Sequence, residues 1–322
     1  MSTKIHPFTL RQLQYLVAVA DLRSFRRAAE RCHVSQPSLS AQVAQCEDLL
    51  GVQLFERTRR RVELTSAGER LLSRMRQLLV DADDLVDAAQ GLADPFAGVV
   101  RLGVIPTVAP YLLPEVAPSL REALPRIDVR WVEDKTKNLV AQLEKGELDA
   151  AIVALEAELG DVDYDVLGKD PFVFAATADH PLAKKRGRIR LEDLEGEQVL
   201  LLDDGHCFRD QALAACATTS FSEASYRATS LQTLVHMAAQ GHAVTLLPGL
   251  AVSLENRRGD LEIRHFAAKA PSRTIALVWR RTTSREATYR AIAQALIRAF
   301  PPGLDARVEN LRGRRTPLSS GA

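Results

Sequence analysis

The feature that most constrains the fold of this 322-residue chain is a change of periodicity near residue 98. Before it, apolar residues recur at helical spacing in short segments; after it, apolar β runs alternate with helical ones. The length suits two or three domains rather than one. Phe8, Leu13, Leu16, Val17 and Ala20 mark a first helix. Ser24 fits the N-cap of a second, which carries Phe25, Ala28, Ala29 and Cys32 on one face. His33 and Val34 make a turn and Ser35 fits the next N-cap. Pro37 falls in the first turn of that third helix, where its missing N–H costs little. Leu39, Val43, Cys46 and Leu50 form its buried stripe, and Gly51 stops it. Residues 53–56, the basic run 57–61 and residues 62–64 then read as strand, turn, strand.

Thr65 opens a long helix whose apolar positions Leu72, Met75, Leu79, Ala82, Val86 and Ala89 step 3, 4, 3, 4, 3. That is a heptad seam, and a seam needs a facing helix. A helix that joins two domains has little body beside it, so the expected partner is the same helix of a second copy. Residues 91–98, with Pro95 between two glycines, form the linker. Beyond it, strands are predicted at 99–105, 127–132, 149–155, 172–176, 198–202, 225–228, 244–247 and 273–279. Helices are predicted near 114–124, at 137–145, after Cys207, at 231–240 and at 284–300. Such alternation implies parallel sheets flanked by helices, and the count fits two α/β lobes with a ligand cleft between them. The fold class is α+β overall. Its expected parts are a helix-turn-helix domain over 1–65, a dimerisation helix and hinge over 66–97, a two-lobed regulatory domain over 98–300, and an unfolded tail over 301–322.

Composition removes several classes. Lys plus Arg number 42 and Asp plus Glu 41, so any nucleic-acid contact must come from a local patch. No apolar run approaches the roughly 18–20 residues of a membrane span. The first residues lack the charged–apolar–small order of a secretory signal. Four cysteines are too sparse for a secreted disulfide framework. A cytoplasmic protein is expected. Cys32 and Cys46 lie 14 apart on apolar helix faces and read as packing. The histidines form no ligand cluster and no glycine-rich loop cradles phosphate, so neither metal nor organic cofactor is expected.

The second and third helices make a helix-turn-helix. The exposed face of the third offers Gln36, Ser38, Ser40, Gln42 and Gln45, uncharged groups that can bond base edges in a major groove. An ordinary polar face carries Lys and Glu instead. Residues 57–61 can reach phosphates as a wing. Candidate DNA contacts are Ser35, Gln36, Pro37, Ser38, Ser40, Gln42, Arg57, Arg59 and Arg60. The stretch SFRRAAERCHVSQPSLSAQVAQCEDLLGVQLFERTRRRVELTSAGERLL resembles the winged helix-turn-helix of LysR-type transcriptional regulators. Ala28-Ala29, residues 34–38, Ser40, residues 49–51, residues 54–57 and Leu64-Thr65 carry that likeness. It extends over about 8–300, because a linker helix and a two-lobed effector domain of periplasmic-binding-protein type follow in the family's order. It implies promoter DNA and RNA polymerase as partners, and a homodimer that pairs into a homotetramer.

A second motif runs from Asp203 to Gln211, DDGHCFRDQ, with Cys216 nine residues after Cys207. Gly205 permits a sharp turn and places Cys207 near a helix start, where the helix dipole favours a thiolate. A thiolate can attack a peroxide and give a sulfenic acid that a second thiol converts to a disulfide. On an intact helix the two cysteines would lie about 13 Å apart along the axis, whereas a disulfide tolerates at most about 7 Å between Cα atoms. Joining them would therefore displace the intervening segment. Spacing alone fits two small buried hydrophobes better.

The surrounding text, LLLDDGHCFRDQALAAC followed by YRATSLQTLVHMAAQGHAVTLLPGLAV, resembles the sensing region of peroxide-responsive LysR-type regulators. The resemblance implies that Cys207 is peroxidatic and Cys216 resolving. It also implies a peroxide pocket lined by Thr107, Thr136, His206 and Arg273, and a reductant such as a glutaredoxin or thioredoxin. Residues 217–223 depart from the family's text, which puts the switching kinetics in doubt there. Two other readings stay open: a receptor for a small organic anion with unreactive cysteines, and a thiol peroxidase. Residues 8–64 count against the enzyme, since a catalyst needs no helix-turn-helix.

Overall fold

Thr9 and Gln12 close a capping box at the start of α1 (Leu10–Leu22). Ser24 caps α2 (Phe25–Arg31) and Ser35 caps α3 (Gln36–Leu50), each accepting a backbone N–H three residues on. His33 at φ 54° makes the left-handed turn between them. The stripe Leu39, Val43, Cys46 meets Leu13, Leu16, Val19, Phe25 and Ala28 in one core. Strands β1 (Phe55–Arg57) and β2 (Val62–Leu64) pair antiparallel as the wing. Glu47 of α3 holds it by accepting the N–H groups of Leu54 and Phe55 at 2.7 and 3.1 Å. The computed structural model describes residues 7–57, 62–91, 94–215, 220–267, 271–301 and 312–314. It divides into two units, Met1–Ala89 and Gln90–Ala322.

Helix α4 (Ser66–Gly91) starts where the Thr65 hydroxyl accepts the Gly68 N–H. A Cβ on Gly68 would lie 2.3 Å from the Leu54 carbonyl oxygen, so the crossing of α4 over the wing needs glycine. The expected seam divides in two, which corrects the reading of one continuous dimer face. Met75 is buried in the unit's own core with Leu71 and Leu79 against it. Leu78, Leu85 and Val86 stay exposed. The first turns of α4 do have a body beside them, because the wing brings the helix back across the three-helix core.

In the second unit β3 (Gly98–Val104), α5 (Ala109–Ala123), β4 (Ile127–Glu133), α6 (Thr136–Glu144) and β5 (Ala150–Ala154) build the first lobe. Strand β6 (Val162–Ala176) leads to the second lobe. That lobe holds α7 (Pro181–Lys184), a 3-10 turn at Leu191–Leu194, β7 (Gln198–Leu202), α8 (Cys207–Ala215), β8 (Ser222–Ala228), α9 (Leu231–Ala238), β9 (Val244–Pro248), α10 (Gly249–Glu255) and β10 (Glu262–His265). Strand β11 (Ser272–Arg280) returns, and α11 (Glu286–Ala299) closes the first lobe. Each lobe has its own apolar core.

The strand order is β4-β3-β5-β11-β6-β9-β7-β8. Pairs β3–β4, β3–β5, β7–β8 and β7–β9 are parallel, as expected. Strands β6 and β11 are antiparallel to each other and to their outer neighbours, a correction to purely parallel sheets. They carry the chain between lobes instead of closing a helical crossover. The strand expected at 172–176 is only the far end of the 15-residue β6, which contains Pro171, a residue that sheet interiors rarely hold. Helix α5 starts at Ala109, ahead of the expected 114, and keeps Pro114 and Pro118 inside. Burial of Leu112, Val116 and Leu120 outweighs the two lost helix hydrogen bonds. The tail was expected to be unfolded throughout, yet β12 (Arg312–Arg314) pairs with β6 at 163–165. The rest of 302–322 lies outside the described residues. Among the described residues no helix is long and apolar enough to cross a membrane.

Candidate functional site

Between the two lobes of the second unit lies a cleft of about 1210 Å³ whose lining includes Thr136, Phe172, Gly205, Cys207, Gln211 and Ser272. Two loops shape it. After β7 the chain turns at Gly205, φ 85°, and α8 begins at Cys207. The Lys135 side chain lies 3.4 Å from where a Cβ on Gly205 would stand. Its ammonium donates to the Asp204 carbonyl at 2.9 Å. After β4, α6 begins at Thr136. Two helix N-termini thus open on one cleft and present partial positive charge to an anion formed there.

Cys207 is a half-buried free thiol. Thr136 is 6% exposed and its hydroxyl oxygen is buried without a partner. Gln211 follows Cys207 by one helical turn and so shares its face; its amide nitrogen and oxygen are likewise buried and unpartnered. Buried polar atoms normally find partners, so two such side chains beside one thiol describe a place shaped for a small polar molecule. Sequence reading quoted Gln211 without giving it a role. The signal for it was the four-residue step from Cys207.

Thr107, His206 and Arg273 do not line the cleft. Arg273 is fully buried where β11 faces Asp170 of β6 in register. Its Nε donates to Asp170 at 2.8 Å, and its Nη1 and Nη2 donate to the Thr107 hydroxyl and carbonyl at 2.6 and 2.8 Å. The guanidinium stacks 5.5 Å from the ring centroid of Phe208, the neighbour of Cys207. Phe208 meets Phe172 edge-to-face at 4.9 Å. Arg273 and Thr107 therefore brace each other and the wall under α8. Burial pushes the Asp170 carboxyl up, while Arg273 and the N–H groups of Leu250 and Gly249 pull it back. Asp170 was absent from the expected site because nothing local marks a lone acid in a strand. His206 is 6% exposed. Burial and then the Lys135 charge push its imidazole down, with Asp203 opposing, so it is held neutral at neutral pH. Cys216 lies outside the described residues.

On the helix-turn-helix, Gln36, Pro37 and Ser38 are exposed on the first turn of α3, and Ser40 and Gln42 are half-buried. Ser35 is occupied as the cap. The carbonyl ends of Gln42 and Gln45 are held by Gln12 of α1 at 3.1 and 3.3 Å. That bond from Gln12 fixes the orientation of the Gln42 side chain on the half-buried edge of α3. Arg57 ends β1; its side chain, and all of Arg59 and Arg60, lie outside the described residues. Burial pushes the Cys32 and Cys46 thiols up, as suits packing groups.

Comparison with known proteins matches residues 10–69 to the bacterial regulatory helix-turn-helix of the lysR family and residues 93–301 to the LysR substrate binding domain. The hydrogen peroxide-inducible genes activator of Dickeya chrysanthemi is 43% identical over 89% of this chain and 94% of that protein. The DNA-binding transcriptional dual regulator OxyR of Escherichia coli K12 is 42% identical over the same shares. Full-length OxyR from Pseudomonas aeruginosa, a cysteine-to-aspartate variant, superimposes with a TM-score of 0.73 at 39% identity, covering 91% of this chain and 95% of that one. A cysteine-to-serine variant of Corynebacterium glutamicum OxyR, bound to H2O2, gives a TM-score of 0.61 at 36% identity over 92% and 95%. With a helix-turn-helix at one end and a two-lobed cleft at the other, the chain belongs to the LysR family of DNA-binding transcription regulators and within it closely resembles OxyR.

Proposed function

We propose that this protein is a hydrogen peroxide-responsive transcriptional activator whose sensor is Cys207. The observation that carries the reading is the free thiol at the start of α8 beside the unpartnered Thr136 hydroxyl and Gln211 amide. Thr136 and Gln211 hold the peroxide oxygens. The Cys207 sulfur attacks one of them, an S–O bond forms as the O–O bond breaks, and hydroxide leaves to take a proton as water. The Cys216 sulfur then attacks the sulfenic sulfur and expels a second water. Two thiols give up two electrons and one peroxide becomes two waters. A dithiol reductant of the glutaredoxin or thioredoxin class reverses the step.

Helix α8 runs nine residues, from Cys207 through Ala215, and a helix of that length separates its ends by far more than a disulfide spans. Bridging Cys207 to Cys216 must unwind or displace α8, a two-state element that oxidation biases. The change repositions the lobes' partners in a homotetramer, re-spaces the α3 helices along promoter DNA and alters contact with RNA polymerase. Thr107, His206 and Arg273 act here as the braced wall behind the thiol. Residues Ser35 to Ser38, Ser40, Gln42 and the wing arginines Arg57, Arg59 and Arg60 are assigned to DNA. One equivalent of peroxide added to the reduced full chain, with thiols mapped by mass spectrometry, should remove the free thiols at 207 and 216 together. Persistence of both overturns the reading.

The cleft is far larger than peroxide requires, and this favours one alternative, an organic anion at the two helix N-termini. Calorimetry with small carboxylates on the reduced protein separates the two: peroxide sensing expects no heat of binding and no change in DNA footprint.

A further inference from the structure

The loop before Cys207, the first turn of α8 and strand β8 are tied by charges that take no part in the cleft chemistry. Arg209 follows Cys207 by two positions, which places it on the opposite face of the helix. Its side chain is 7% exposed. It donates to both Glu223 carboxylate oxygens, at 2.6 and 2.9 Å, and its Nε lies 3.0 Å from Asp204. A further donation reaches the Leu202 carbonyl at 3.3 Å. Arg227 completes the circuit, 2.9 Å from Asp204 and 3.0 Å from Glu223. Asp204, Arg209, Glu223 and Arg227 thus form a closed ring of alternating charge, neutral as a whole. It joins the end of β7, α8 and β8. Among the described residues β8 is an edge strand that pairs with β7 and shows a register shift there. Glu223 ends the stretch 217–223 whose text departs from the family's.

We propose that this ring is a latch: it holds α8 in the dithiol arrangement, and its strength sets the redox midpoint of the Cys207–Cys216 pair. The inference rests on the disulfide reading above. Moving α8 to bring the sulfurs together pulls Arg209 out of its site, so every bond in the ring stabilises the reduced form against the oxidised one. Arg209 and Glu223 are positioning residues and touch no reacting atom. The Arg209 bonds hold the Glu223 carboxyl below its usual range, which agrees with an ion pair formed in this state.

The test compares wild type, Glu223→Gln and the milder Arg227→Gln as full-length chains in glutathione buffers of defined ratio. Loss of the latch destabilises the dithiol relative to the disulfide, so Glu223→Gln should favour the disulfide at least tenfold, a midpoint about 30 mV more negative. Arg227→Gln should shift it in the same direction by less. In a Cys216→Ser background the rate of sulfenic acid formation should be unchanged. Thermal unfolding distinguishes a latch from a general structural role: Glu223→Gln should lower the Tm of the reduced protein and leave that of the oxidised protein where it was. An unchanged midpoint in a wild type that does form the disulfide, or equal loss of Tm in both redox states, overturns the latch. If wild type forms no disulfide, the sensor reading fails instead. Hydrogen exchange then decides the latch alone: α8 amides of reduced Glu223→Gln should exchange at least tenfold faster, and unchanged exchange overturns it.

Discussion

Two buried arginines flank Cys207 and differ in what holds them. Arg273 sits in the register of two long strands, and it and its partner Asp170 are fully buried. Arg209 sits on a helix start, and its partners Asp204 and Glu223 are 73% and 27% exposed at the side chain. Both satisfy a guanidinium with a carboxylate, yet only one is confined by a sheet ladder on both sides. Removing α8 from its place would leave the Arg273 bonds intact and would break those of Arg209. The proposed switch uses both kinds: Arg273 would stay in place as the thiol moves, and the Arg209 fastening would let go.

The largest test of that contrast is at the thiol between them. Cys207→Ser should abolish the peroxide response in a promoter assay while DNA affinity stays within about twofold, since residues 10–69 are untouched; a normal response refutes the assignment. Next comes the wall. Arg273→Met leaves Asp170 buried without its cation and should destabilise the second unit by about 3–5 kcal/mol in urea unfolding. A loss below about 1 kcal/mol would mean the pair contributes as little as an exposed one. Smaller still, Thr136→Val and Gln211→Leu remove groups that no described residue satisfies, so stability should change by less than about 1 kcal/mol. Stopped-flow peroxide oxidation should slow by about tenfold in each, on the scale of the net worth of one hydrogen bond.

The smallest effect is in pH. The folded-state pKa of His206 is pushed below its usual 6.5, so the unfolded chain binds the proton more readily. Stability should be full above about pH 6.5 and decline as pH falls from there through the depressed value. Urea midpoints between pH 8 and 5 should show that decline, and His206→Gln should flatten part of it.

How much of this was open to reading along the chain differs from element to element. The caps Ser24 and Ser35, the turn at His33 and the stop at Gly51 act within a few residues, and local signals name them. Strand β6 was half missed because its pairing with β11 is made a hundred residues away. The seam on α4 was read as one face because periodicity marks apolar positions and not what covers them. Met75 is covered by its own domain, and Val86 is not.

The site divides along the same line. Cys207, His206 and Gly205 stand in one short motif, and Thr136 follows a recognisable strand end. Asp170, Lys135 and Glu223 carry no local mark, and Gln211 is marked by its four-residue step from Cys207 alone. The residues by themselves determined a helix-turn-helix, a long linking helix, alternating lobes and a thiol at a helix start, because each depends on short-range periodicity, capping and dipoles. Only the tertiary structure decided that Arg273 turns to Asp170 and Thr107 and not to the cleft, and that Arg209 is bound to β8. Ion pairing is chosen by which charges are buried together, and a linear order of residues does not contain that distance.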